Sequence, residues 1–105
     1  MISIIKQLFG IGPKVDLSEV HRSGAMLLDV RTKEEYLAGH IPGSVNIPLQ
    51  QLESRLASIP KNKAVITCCA SGMRSGSAKS LLQAKGFEVH NGGGWQSLGH
   101  KLGKL

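Results

Sequence analysis

Two adjacent cysteines begin the part of the sequence whose residue types are suited to chemistry. They stand at positions 68 and 69 and are followed by Ala-Ser-Gly-Met-Arg-Ser, residues 70–75. An apolar run precedes them and a helical pattern follows, so the stretch is predicted to be a strand-to-helix loop. The backbone N–H groups of such a loop and of a helix N-terminus form a cradle for an anion. A cysteine in that field has a lowered pKa and is a nucleophilic thiolate.

The two cysteines are expected to have different roles. Cys68 ends the predicted strand and is interpreted as a buried structural thiol, because free cysteine is among the most buried residue types. Cys69 begins the loop and is predicted to be the nucleophile, while Arg74 adds a fixed positive charge. Adjacent cysteines can be bridged only with severe strain, so no stabilising disulfide is expected. The pair therefore favours a reducing compartment, and we expect the cytoplasm.

Strands and helices alternate along the rest of the chain. Strands are predicted over residues 25–30, 45–47, 64–68 and 87–90, and helices over 16–24, 32–39, 49–60, 75–85 and from 95 onward. This order predicts an α/β domain with a largely parallel sheet covered on both faces. Functional groups of such sheets gather at the carboxyl ends of the strands, where Asp29 and Arg31 also stand.

Length and charge set limits on the function. The chain has 105 residues, which we divide into an amphipathic segment over residues 1–12 and one domain over residues 13–105. The first segment is too short and too broken for a signal peptide or a membrane span.

Residues 55–105 carry eight basic side chains and one acidic side chain. This excess either solubilises the surface or attracts a small anion. Nucleic-acid binding is not expected, because aromatics are few and no recognised module is present.

Three sets of motifs together resemble the rhodanese family. Residues 69–75 resemble its active-site loop, C-x-S-G-x-R-S. Asp29-Val30-Arg31 and residues 35–48 resemble its D-V-R and G-H-I-P-G-A-x-N-I-P signature, while Gly86-Phe87 and Gly93-Gly94-Trp95 resemble its closing motifs. The resemblance covers roughly residues 15–100, in the family's order and spacing.

The resemblance implies a three-layer α/β/α fold around a five-stranded parallel sheet and a sulfurtransferase activity. The Cys69 thiolate would take sulfane sulfur from a small anionic donor such as thiosulfate and hold it as a persulfide. Cyanide, a thiol or a protein acceptor would then remove it, as expected for covalent catalysis in two half-reactions. No metal or organic cofactor is required. The residues expected to bind the substrate are Ala70, Ser71, Gly72, Met73, Arg74 and Ser75. From their position in the sequence, Asp29, Arg31 and Glu35 are expected to support the loops, with Asp29 or Glu35 paired to an arginine.

The sequence departs from the family motif at two positions, and three alternative functions stay open. Ala70 stands where the family often has a basic residue, for which Lys79 is a candidate replacement, and Met73 stands where polar residues are frequent. Counted from Cys68, the loop has the C-x5-R length of related dual-specificity phosphatases, whereas counted from Cys69 it has the shorter sulfurtransferase length. The alternatives are such a phosphatase, a non-catalytic binding module and a protein-to-protein sulfur relay.

Overall fold

A parallel sheet of four strands forms the centre of the computed structural model, which describes residues 15–105. The strand order is β2-β1-β3-β4, and all neighbouring pairs are parallel. The elements in chain order are α1 (Leu17–Arg22), β1 (Met26–Asp29), α2 (Lys33–Ala38), β2 (Val45–Asn46), α3 (Leu49–Leu52), a 3-10 helix (Glu53–Ser58), β3 (Val65–Cys69), α4 (Met73–Ala84), β4 (Val89–Gly94) and α5 (Trp95–Lys101).

Helices cover both faces of the sheet. On one face, side chains of α3 and α4, including Leu52 and Leu82, form a core with β1 and β3. On the other face, residues of α1 and α5 pack around Leu27 and Ile66. Because both faces are buried, all five residues of β3 are buried and its sequence is continuously apolar or nearly so. The predicted three-layer α/β fold is therefore confirmed.

The number of strands differs from the expectation. The family resemblance implied five strands, but the sheet formed by residues 15–105 has four, so that prediction is wrong. The stretches that link these four strands are taken up by helices and by turns such as the one at Gly43, which leave no segment to add to the sheet. The predicted amphipathic segment over residues 1–12, and the first residues of the predicted domain, lie outside the described residues.

Capping side chains fix the helix that follows β1. The Thr32 hydroxyl accepts from the Glu35 backbone N–H at 3.2 Å, and the Glu35 carboxylate accepts from the Thr32 N–H at 3.0 Å. This reciprocal pair is a capping box, which satisfies backbone donors that the helix cannot pair itself. Gly39 ends the helix, as the sequence predicted.

Two elements near the loop are longer than predicted. The helix α4 begins at Met73 rather than at residue 75, after Gly72 with a φ of 106°. The strand β4 continues to Gly94, beyond its predicted end at residue 90, although three successive glycines favour a turn there. Gly92 lies so close to β3 that an added Cβ would be 2.8 Å from the Thr67 carbonyl oxygen. Glycine therefore permits close strand packing here, rather than a change of direction.

Candidate active site

The alternation of side chains along β3 separates the two cysteines. Successive residues of a strand point to opposite faces of the sheet. Cys69 packs into the core formed with α3 and α4, whereas Cys68 packs into the core formed with α1 and α5. Both thiols are free. Only Cys69 faces the loop and the first turn of α4, so it is the thiol that the loop surrounds.

Donor groups from the loop and α4 converge on the Cys69 sulfur. The Gly72 N–H donates to Sγ at 3.0 Å and the Ser75 N–H at 3.4 Å, while Sγ and the Ser75 hydroxyl oxygen are 3.4 Å apart. Burial by itself would raise the pKa of Cys69. The hydrogen bond between the Cys69 sulfur and the Ser75 hydroxyl, together with bonds from the N–H groups of Ser75, Gly72 and Ser71, outweighs burial and lowers the pKa of Cys69 below its ordinary value.

Cys68 lies in a contrasting environment. It has no exposed surface. Burial, followed by the negative charge of Asp29, raises the pKa of the Cys68 thiol to about 12. Because the thiolate is the nucleophilic form, Cys68 is poorly suited to attack a substrate at neutral pH.

Arg74 pairs with Glu35 across the loop rather than with the nucleophile. The guanidinium donates to both carboxylate oxygens of Glu35, at 2.7 and 3.0 Å. The hydrogen bond from Arg74, followed by the bond from the Thr32 backbone, lowers the pKa of Glu35 to about 2. This two-point contact ties the start of α4 to the start of α2. Arg74 therefore holds the shape of the cradle through Glu35, and no hydrogen bond joins it to Cys69 within the described residues.

Asp29 and Arg31 form a buried ion pair behind the loop. The Arg31 Nη2 donates to Asp29 Oδ2 at 2.8 Å and to the Gly39 carbonyl at 2.7 Å. The guanidinium also lies 4.6 Å from the centre of the Trp95 ring, within range of a cation–π contact. Asp29 is fully buried and Arg31 nearly so. The pair thus links β1, the end of α2 and the start of α5, and it makes no hydrogen bond to the Cys69 sulfur.

The remaining loop residues lie at the surface. Ala70, Ser71 and Met73 are exposed, and 82% of the Met73 surface is accessible. Lys79 lines a cavity of about 250 Å³ together with His90 and Asn91. Cys69 is therefore deep in a cradle whose outer edge is mostly uncharged.

Asn91 contacts the loop although the sequence did not single it out. Its carboxamide oxygen accepts from the Ser75 hydroxyl at 2.6 Å, and its amide nitrogen donates to the Gly72 carbonyl at 3.2 Å. The residue lies 16 positions after Ser75, on the part of β4 that extends beyond the strand predicted over residues 87–90. No motif includes it, and only the extension of β4 beside β3 brings it to the loop.

Cavity size alone does not identify this site. A larger groove of about 670 Å³ lies along β2 and is lined by residues such as Tyr36, Val45 and Arg55. A smaller cavity of about 270 Å³ adjoins the loop at Arg74, between Thr32 and Leu49. We place the candidate site at the loop because backbone N–H donors converge there on the Cys69 thiol. No cysteine lines the larger groove.

Among residues 15–105, no three histidine, cysteine or acidic side chains cluster as a metal site would require. None of the helices described is both long and apolar enough to cross a membrane.

Comparison with known proteins supports the resemblance. A family model for the rhodanese-like domain matches residues 15–100. The thiosulfate sulfurtransferase PspE of Escherichia coli is 39% identical over 74 residues, which cover 68% of this chain and 71% of that protein. The human thiosulfate:glutathione sulfurtransferase is 34% identical over 93 residues, covering 71% and 81% of the two chains. The structure of a rhodanese with anions from E. coli aligns with a TM-score of 0.65 and 37% identity, over 70% of this chain and 89% of that one.

Proposed function

The chain belongs to the rhodanese-like domain family, and we propose that it is a sulfurtransferase that carries sulfane sulfur as a persulfide on Cys69. The E. coli and human relatives are both sulfurtransferases, which supports sulfur transfer as the class of reaction. The observation that carries the persulfide proposal is the convergence of the Gly72 and Ser75 N–H groups on the Cys69 sulfur.

In the first half-reaction, the Cys69 thiolate attacks the outer sulfur of a donor such as thiosulfate. A bond forms between the two sulfurs, the S–S bond of the donor breaks, and sulfite leaves with its electron pair. In the second half-reaction, a thiolate acceptor attacks the outer sulfur of the persulfide and Cys69 leaves as the thiolate. Each step is an exchange at sulfur, so no external oxidant or reductant is needed.

The loop suits the negative charge that these steps place on sulfur. Preorganised N–H donors stabilise an anion most where water is excluded, and Cys69 is only 1% exposed. The Arg74–Glu35 pair holds the donors in place without committing the guanidinium to the nucleophile. Ala70, Ser71 and Met73 form the rim past which the donor must come, and Asp29 and Arg31 support it from behind.

The position of Cys68 argues against the phosphatase alternative. A C-x5-R loop would require Cys68 as the nucleophile, but its side chain packs into the core on the opposite face of the sheet. The raised pKa of Cys68 also leaves little thiolate at neutral pH. The shorter loop from Cys69 to Arg74 is the one closed by hydrogen bonds to sulfur.

The charge distribution supports a protein acceptor as a second candidate. Residues 55–105 carry eight basic side chains and Glu88 as the one acidic side chain. Such a surface attracts acidic partners at long range. We propose the cytoplasm as the compartment, since the two free cysteines suit a reducing environment. A small thiol and an acidic carrier protein would use the same Cys69 persulfide.

Intact-mass spectrometry after thiosulfate treatment tests the proposal. The wild-type chain should gain about 32 Da, the mass of one sulfur atom, and lose it again on addition of cyanide. Cys68→Ser should behave as the wild type does, whereas Cys69→Ser should gain nothing. An adduct that depends on Cys68, or release of phosphate from an aryl phosphate without any sulfur adduct, would refute the assignment. An adduct that cyanide does not remove but an acidic carrier protein does would favour the relay.

A further inference from the structure

The Asn91 side chain connects three parts of the site. Its carboxamide oxygen accepts from the Ser75 hydroxyl at 2.6 Å and from the Gly93 N–H at 2.9 Å. Its amide nitrogen donates to the Gly72 carbonyl at 3.2 Å. These contacts fix which end of the carboxamide faces Ser75, because the nitrogen is occupied by a carbonyl acceptor.

The Ser75 hydroxyl has one proton and two neighbours that compete for it. In the structure it donates this proton to Asn91, and its oxygen accepts from the Cys69 thiol at 3.4 Å. This arrangement suits a protonated Cys69. Once Cys69 becomes a thiolate its sulfur can only accept, so the Ser75 proton must turn from Asn91 toward sulfur to stabilise the charge. The Asn91 oxygen then keeps the Gly93 N–H as its donor.

Asn91 also contacts Gly72, whose N–H is the closest donor to the Cys69 sulfur. Gly72 has a φ of 106°, and its N–H lies 3.0 Å from the Cys69 sulfur. The bond from Asn91 to the Gly72 carbonyl holds this residue from its other side. A single side chain of β4 therefore touches Gly72 and Ser75, two of the residues whose N–H groups donate to the Cys69 sulfur.

We propose that Asn91 is a positioning residue for Cys69, acting through the Ser75 hydroxyl and the Gly72 carbonyl. The consequence for turnover rests on the proposed sulfur transfer, whereas the effect on Cys69 itself does not. Asn91 sets how strongly the Ser75 proton is held away from sulfur. A stronger acceptor at position 91 should therefore make the thiolate harder to form.

Asn91→Asp supplies that stronger acceptor with the same shape. The carboxylate should retain the Ser75 proton and can no longer donate to Gly72. We expect the alkylation rate of Cys69 at neutral pH to fall about tenfold, because hydrogen bonds to charged groups are worth roughly one pKa unit or more. The measurement is the pH profile of iodoacetamide alkylation, followed by peptide mass mapping.

The added charge itself must be separated from the effect through Ser75. Lys79, His90 and the two ion pairs Arg74–Glu35 and Arg31–Asp29 are charged or titratable groups around the site, and their fields remain in every variant. Most of the Asn91→Asp shift should therefore disappear in a Ser75→Ala background, where no proton remains to compete for. Asn62→Asp, in the turn at the opposite end of β3, adds the same net charge and should leave the profile unchanged.

A second measurement uses the chain without any change at position 91. In an NMR titration, the Asn91 side-chain amide and the Gly93 N–H should shift with the ionisation of Cys69, and this shift should be much smaller in Ser75→Ala. The inference is overturned if these signals do not follow Cys69, or follow it equally in Ser75→Ala. It is also overturned if Asn91→Asp lowers turnover with an unchanged alkylation profile. Because alkylation needs no sulfur donor, the expected shift without any sulfur adduct would refute the proposed function while supporting Asn91.

Discussion

Removing the charge of Glu35 should destabilise the chain in a pH-dependent way. We choose Glu35→Gln because glutamine still accepts the Thr32 N–H, so the capping box survives while the charged pairing with Arg74 is lost. The pKa of Glu35 falls from 4.5 to about 2 on folding, chiefly through the Arg74 hydrogen bond. Without solvent screening, this pKa shift would correspond to about 3 kcal/mol of unfolding free energy. The side chains are 36% and 37% exposed, so solvent screening reduces the expected loss to about 1 kcal/mol.

The sign of the pH dependence follows from the direction of the shift. A carboxyl group whose pKa is lower in the folded chain contributes stability above its unfolded pKa and loses it as pH falls through the folded pKa. The difference in unfolding free energy between wild type and Glu35→Gln should therefore be full at pH 7. It should begin to shrink below about pH 4.5 and be nearly absent near pH 2.

Urea unfolding at pH 7 and at pH 3, followed by circular dichroism, measures this difference. Glu34→Gln is the matched control, since it removes the same charge from the first turn of the same helix and has no ion-pair partner among the described residues. Two results would refute the reasoning. One is a decrease in the unfolding free energy of Glu35→Gln that is as large at pH 3 as at pH 7. The other is an equal decrease in the unfolding free energy of Glu34→Gln.

Three further outcomes are expected. Iodoacetamide should label Cys69 well before Cys68 in the folded chain, because raising the pKa of Cys68 from 9.0 to about 12 lowers its thiolate fraction about a thousandfold; equal labelling before urea is added would contradict this. Asp29→Asn should lower the unfolding free energy by about 3–5 kcal/mol, since it leaves Arg31 buried without its counter-charge, and urea unfolding would show it. Gly92→Ala should cost about 1–3 kcal/mol by the same assay, because its Cβ would crowd a β3 carbonyl; an unchanged midpoint would show that β4 can move away.

The sequence predicted most of the elements because their signals are local. The helix predicted over residues 32–39 begins after the N-cap Thr32 and ends at Gly39, and the structure confirms both ends. The apolar run over residues 64–68 likewise predicted a buried strand, and the structure has it at Val65–Cys69, so Cys69 ends the strand rather than beginning the loop. Patterns of this kind depend on neighbours in the chain, which a sequence displays directly.

The errors fall where long-range packing overrides local preference. Three successive glycines favour a turn, yet Gly92 and its neighbours extend β4 because β3 passes too close for any larger side chain. That extension is what carries Asn91 to Ser75, so the same error hid a contact of the site. The fifth strand was expected only from the family resemblance, whereas the periodicity of this chain itself predicts four strands.

The adjacency of the two cysteines shows how backbone geometry assigns chemistry. Two adjacent cysteines do not differ in residue type, but a strand points their side chains to opposite faces of the sheet. One face presents Cys68 to an apolar core and the negative charge of Asp29. The other presents Cys69 to the first turn of α4, where N–H groups lack partners within the helix. The difference in pKa between the two thiols is therefore set by the strand-to-helix junction, and the loop from Cys69 to Arg74 needs no additional charged group on the sulfur to create it.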